Sequence, residues 1–227
     1  MLNQLRTFIF CTLLCFIGNF GYASQLLIPM GESKQANHLK AYGIAYYAIE
    51  RDIKVDWLLN YQGGSFMMKY HSKIENECNI RGVSFNIIAD VQSTQILQSI
   101  ASPSINQDVV RLDKAPKIAI YSPKSKQPWD DAVTMALTYA EIPYEVVYDE
   151  EVLSNLLPLY DWLHLHHEDF TGQYGKFYRS YRSAAWYQNE VQRQEGMART
   201  MGFEKVSVMK RNVALEIRDF VLGGGFL

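Results

Sequence analysis

After residue 23 the chain has no long apolar run, no pair of cysteines, no nucleotide-type glycine loop and no excess of one charge. Each absence excludes something. Without another stretch near the roughly 20 apolar residues that a spanning helix needs, no membrane span is expected beyond the N-terminus. A formal net charge of −2 gives no broad basic field, so nucleic acid is not an expected partner. Neither GxGxxG nor Gly-Lys-Ser/Thr occurs, so the dinucleotide and P-loop phosphate signatures are missing. Cys11 and Cys15 lie in the N-terminal run, which leaves Cys78 alone and predicts a chain without internal disulfides. Glu75, Glu77 and Asn79 surround that thiol and would raise its pKa, the setting of a packed, inert cysteine.

What is present describes a packed globular protein. Hydrophobic residues make up 48% and aromatics 13%, well above a disordered composition. Met1–Ala23 has one positive charge, Arg6, then the apolar run Phe8–Phe20 and Gly21-Tyr22-Ala23. That layout predicts a secretory signal cut before Ser24, an exported protein and no stable membrane span after cleavage.

Downstream, strand and helix signals alternate. Gln25–Met30, Val55–Leu59 and Ser84–Ala89 read as strands of an N-terminal α/β region over 24–112. Between them fall a helix capped by Asn37 and running to about Arg51, and another over Ser72–Ile80, stopped by Gly82. A third follows at Val91–Ala101. Gln62-Gly63-Gly64 reads as a tight turn rather than a phosphate cradle. Pro103–Asp113 reads as a polar connection between halves.

From residue 113 on, Lys117–Tyr121, Tyr144–Tyr148 and Trp162–Leu165 are expected as parallel neighbours in one sheet. Helices over 130–141 and 207–222 should flank them. In the first, Val133, Ala136, Leu137 and Ala140 form one apolar face. Ser207 should cap the second, whose stripe is Val213, Ile217, Phe220 and Val221. A further helical stretch over Phe177–Gly202 carries Tyr187, Val191, Gln194 and Ala198 on one side. The fold class expected for the whole is α/β, doubly wound, with mostly parallel sheets and flanking helices.

Chemistry concentrates in Asp161–Tyr178, DWLHLHHEDFTGQYGKFY, where an apolar strand runs straight into titratable groups. Open α/β sheets bind ligands beyond the carboxyl ends of their strands, so His166, His167 and Glu168 are candidate catalytic residues. Either histidine could act as base beside Glu168. A site at this edge is also expected to lie beside the Gly223–Phe226 turn. His164 and His166 share a strand face, and with Glu168 or Asp169 they offer a metal pattern; no remote ligand cluster supports it, and no metal ligand is assigned. The bland reading of His164 is a buried histidine bonded to backbone. Tyr174 and Arg179 are candidate ligand-binding residues within a stretch where aromatics alternate with cations, which suits a small-molecule, sugar or peptide ligand. No cofactor is specified.

DFVLGGGFL, residues 219–227, resembles the helix-to-strand run of class I glutamine amidotransferase-like domains, a flavodoxin-like architecture. In catalytic members that strand leads to a nucleophilic cysteine on a sharp elbow. The corresponding position lies beyond Leu227, so the resemblance implies a domain over 113–227 truncated at its C-terminus. LLNYQGGSF, NECNIRGVSFNIIAD, LHLHHEDFTGQYGKFY and the C-terminal GMARTMGF-to-GGGFL stretch are similar to a family of secreted bacterial proteins labelled asparagine synthetase B. Glutamine-dependent asparagine synthetases use an N-terminal Cys and an SGGxDS loop. Here the chain would begin at Ser24, and Gln62-Gly63-Gly64-Ser65 lacks the Asp-Ser. Two function classes stay open: an amidase or hydrolase, and a secreted binding or assembly protein on the same scaffold.

Overall fold

A computed structural model describes residues 24–123, 131–165, 170 and 180–227. The chain divides into two units after Lys114. The expected signal segment, Met1–Ala23, lies outside the described residues. Among those described, no helix is long and apolar enough to cross a membrane.

Unit 1 contains β1 (Ser24–Ile28), α1 (His38–Ile49), β2 (Val55–Leu59), β3 (Ser65–Lys69), α2 (Ser72–Arg81), β4 (Asn86–Ala89), α3 (Asp90–Ile100) and β5 (Asp108–Leu112). Its sheet runs in the order β4-β1-β3-β2-β5 with every neighbouring pair antiparallel. This corrects the expectation of mostly parallel sheets. The α1 crossover does bring β2 round in the direction of β1, because both run antiparallel to β3. The tight β2–β3 connection then inserts β3 between them, and hairpin-length loops force antiparallel pairing. SFMMK has no β-branched residue, which is why β3 escapes a propensity reading. The supposed connection Pro103–Asp113 ends in strand β5, an edge strand none of whose residues is fully buried.

Left-handed backbone builds the β2–β3 turn: φ is positive at Asn60, Gln62, Gly63 and Gly64. A Cβ at Gly63 would fall 2.5 Å from the Met30 carbonyl oxygen. That close approach accompanies a hydrogen bond from Met30 N to Gln62 O at 3.1 Å. Glycine is therefore required for both conformation and contact.

Helices cover both faces of this sheet. On one face Leu26, Ile28, Phe66 and Met68 are buried, and Tyr42 of α1 meets Phe66 edge-on at 5.3 Å. On the other, Leu27, Leu58 and Met67 pack with Ile96, Leu97 and Ile100 of α3. Asn37 precedes α1 without capping it; its amide instead donates to Gly82 O at 2.9 Å, tying the start of α1 to the end of α2. Gly82 does end α2 at φ 65°. Cys78 is fully buried, and burial above all, with Glu77 and Glu75 adding and Arg81 opposing, pushes its thiol up to about 12.

Unit 2 contains β6 (Ile118–Tyr121), α4 (Ala132–Ala140), β7 (Glu145–Val147), α5 (Asp149–Leu153), β8 (Trp162–Leu165), α6 (Ala185–Thr200) and α7 (Val206–Leu222). The three strands are parallel in the order β7-β6-β8, as their spacing predicted. Alternation sorts the faces. Ile118 and Ile120 pack with Leu137 of α4, while Ala119, Tyr121 and Leu163 pack with Val213 and Ile217 of α7. Asp131 caps α4, its Oδ1 accepting from Val133 N at 3.0 Å. Lys205, not Ser207, occupies the N-cap of α7. Beyond α7, Phe226 makes a parallel bridge to Trp162 at the start of β8.

Candidate functional site at the carboxyl edge of the parallel sheet

Because β6, β7 and β8 are parallel, their carboxyl ends meet at one edge. β6 ends at Tyr121, β7 leads into Tyr148-Asp149, and β8 ends at Leu165. Tyr121 has the parity of Ala119 and so faces α7. Asp149 opens α5, where a carboxylate is favoured by the helix dipole. Facing them is Lys210, which falls on the same side of α7 as Val206, Val213 and Ile217.

These residues form a closed polar cluster. Lys210 Nζ donates to Tyr121 Oη at 3.1 Å, Tyr148 Oη at 3.0 Å and Asp149 Oδ1 at 3.0 Å, which uses all three ammonium protons. It also lies 2.9 Å from Asp149 Oδ2. The Tyr121 hydroxyl donates to Asp149 Oδ1 in turn. Asp149 is 0% and Lys210 3% exposed, so this is a buried ion pair whose desolvation must be offset by its charge contact and by the hydrogen bonds that converge on Lys210 Nζ and Asp149 Oδ1.

From the cluster a polar chain leads outward along α6. Gln194 Nε2 donates to Tyr148 Oη at 2.9 Å and to Glu190 Oε1 at 3.0 Å. Arg193 grips Glu190 with two bonds, at 3.0 and 2.6 Å. Burial by itself would raise the Glu190 pKa. The bonds from Arg193 and Gln194, with the charges of Arg193 and Lys210, outweigh it and hold Glu190 below the usual carboxylate range. Gln194 Oε1 is buried and receives no donor among the described residues. Over the cluster, the Phe170 ring stacks on Tyr121 with centroids 5.2 Å apart.

On the opposite face of the sheet, His164 Nε2 lies 2.8 Å from Asp131 Oδ2, both atoms buried. Strand parity points His164 at the N-terminus of α4, where the capping carboxylate sits. The partner is therefore a carboxylate and not the backbone that the bland reading supplied.

His166, His167, Glu168, Tyr174 and Arg179 lie outside the described residues, as does Asp169. His166 follows Leu165 directly in the chain. The Gly223–Phe226 turn does not meet the carboxyl edge. Phe226 N donates to Asp161 O and Leu163 N to Phe226 O, both at 2.9 Å, which puts the turn at the amino edge. A cavity of about 470 Å³ opens there, lined by Tyr160, Asp161, Glu216 and Phe220 among others. Among the described residues no group of three or more His, Cys, Asp or Glu is arranged to hold a metal ion.

Sequence reasoning missed Lys210, Asp149, Tyr121 and Tyr148. One signal was available: Val206, Lys210, Val213 and Ile217 follow helical spacing, so a lysine interrupts an apolar stripe. A charge in that position needs a buried counter-ion. Compared with family models, with curated proteins and with solved structures, the chain matches none.

Proposed function

We propose that the chain is an exported protein whose second unit, on a glutamine amidotransferase-like scaffold, takes a small polar ligand at the carboxyl edge of β6, β7 and β8. The observation that carries this reading is the convergence of Tyr121, Tyr148, Asp149 and Lys210 at that edge, where doubly wound sheets hold their ligands. Gln194 Oε1, a buried acceptor without a donor among the described residues, supports it, since such an acceptor is what a ligand N–H or O–H would satisfy. In the enzymatic form of the reading the ligand is an amide or ester, and His166 or His167, paired with Glu168, moves the proton during hydrolysis.

A specific observation favours the second form, a binding protein without turnover. Every ammonium proton of Lys210 is already committed within the protein, so the lysine holds the edge in place and has no proton left to spend on chemistry.

The test uses the longest native chain recovered from the cell envelope, with its N-terminus read by mass spectrometry; a mature start at Met1 removes the export reading. Thermal shift against a panel of small amides, sugars and dipeptides, with ammonia release measured in parallel, separates the two forms. The hydrolase form expects release by the wild type and a loss of about a hundredfold or more in His166→Ala, in line with removal of an acid–base group. Binding without release supports the binding form. A panel that shifts neither protein counts against a ligand site at this edge.

A further inference from the structure

The antiparallel sheet of unit 1 has a polar patch with a regular origin. Along four adjacent strands the same face changes from apolar to polar in one step: Leu27 to Gln25, Met67 to Lys69, Leu58 to Asp56 and Val109 to Arg111. Register places these residues side by side, Gln25 beside Lys69 and Asp56 beside both Met67 and Arg111. Helix α3 packs on the apolar half of the face. Over the polar half is a cavity of about 530 Å³, lined by Lys54, Lys69, Arg111, Asp52 and Asp56 among others, a size in the range of small-molecule sites.

Donors outnumber acceptors inside it. Arg111 Nε donates to Asp56 Oδ1, an arrangement that fixes the guanidinium plane. Among the described residues no hydrogen bond or ion pair engages its two terminal amino groups, and none engages the Lys69 ammonium. Among the described residues Lys54 is held by a 3.7 Å contact to Asp113. His71 Nδ1 accepts from Lys73 N at 3.2 Å, which leaves the ring proton on Nε2 as a further donor on a lining residue. On the acceptor side Asp56 is already engaged by Arg111, and Asp52 is the lining carboxylate without a partner among the described residues.

We propose that this pocket binds the oxyanion of a small ligand, a carboxylate or a phosphate, with Arg111 as a preoriented fork and Lys69 as the second cation. A guanidinium whose Nε is held by a carboxylate presents its terminal N–H groups in a fixed plane, the geometry that two oxygens of one anion can accept. The site is made of unit 1 residues and is independent of the reading given to the carboxyl edge of unit 2.

The experiment is a chemical-shift titration of the full chain with inorganic phosphate, with succinate and with choline as a cationic control, at low ionic strength. Saturable shifts at the amides of β1, β3 and β5 are expected with an oxyanion and not with choline. Response to phosphate alone assigns a phosphate ligand, and response to succinate alone a carboxylate. Arg111→Lys, which keeps the charge and loses the fork, should weaken binding about tenfold. Lys69→Met, at an exposed position without a partner among the described residues, should weaken it about threefold while leaving the fold unchanged, so the test survives if the Arg111 variant unfolds. No saturable shift with either anion, equal response to choline, or wild-type affinity in Lys69→Met together with a folded Arg111→Lys would overturn the proposal.

Discussion

Both units pack helices on the two faces of a sheet, yet they place their ionisable groups in different ways. In unit 2 the parallel strands send every carboxyl end to one edge. The last residue of β6 and the first residues after β7 therefore meet, and with Lys210 they form a buried ion pair between sheet and helix. In unit 1 neighbouring strands point in opposite directions, so no edge collects like ends. Polar residues gather instead on half of one face, where Asp56 and Arg111 pair across strands in partial contact with water. Strand direction thus decides whether a sheet concentrates its chemistry at an edge or on a face. Burial then decides what that chemistry is worth to stability.

The sharpest test of this contrast is Lys210→Met. Removing one partner of a buried pair leaves Asp149 charged in an apolar setting, and we predict a loss of about 3–5 kcal/mol in urea unfolding. Lys210→Met combined with Asp149→Leu should be less destabilised than the single variant, since no buried charge is then orphaned. A single-variant loss below about 1 kcal/mol would mean that the pair is not the strong element described here.

Next in size is Gly63→Ala in unit 1. The added methyl meets the Met30 carbonyl oxygen, and φ of 84° is unfavourable for alanine. A cost of about 2 kcal/mol or more is expected by thermal or chemical unfolding, from left-handed strain plus a backbone shift. Loss within experimental error would show that the β2–β3 turn relaxes freely.

Arg111→Ala completes the comparison with Lys210. Its partner Asp56 keeps 17% of its side chain exposed and Arg111 52%, so water can replace the missing partner. The expected cost is about 0.5 kcal/mol, typical of an exposed pair. A loss as large as that of Lys210→Met would erase the distinction between face and edge.

The smallest effect is a pH dependence. Glu190 has its folded pKa lowered from the ordinary 4.5. A depressed carboxylate contributes stability that is present above its unfolded value and is lost as pH falls through the folded one. Wild-type unit 2 should therefore lose stability more steeply below about pH 4.5 than a Glu190→Gln variant, as read from unfolding midpoints across that range.

The sequence by itself determined the local elements. Local signals, apolar faces for α1, α4 and α7 and the Gly82 stop for α2, located these helices to within a few residues, and Gly82 and Gly202 marked chain turns where φ is positive. The apolar runs at Lys117–Tyr121, Tyr144–Tyr148 and Trp162–Leu165, with helix-length connections, were enough to predict a parallel sheet. These signals are legible because they depend on residues a few places apart. Strand order in unit 1 was not legible, because inserting β3 between β1 and β2 depends on a tight turn and on pairing with Leu26 and Ile28, some 40 positions away in the chain. Nor were Asn37 and Gly82 recognisable as partners, since an amide that looks like a helix cap is used across 45 positions. Lys210 could be read as a misplaced charge, but its counter-ion could not. Asp149 is 61 positions away, and the two meet because parallel strands and the crossing of α7 bring them to one edge. Tertiary structure alone decided that meeting, because burial creates the need for a partner and the fold determines which residue fills it.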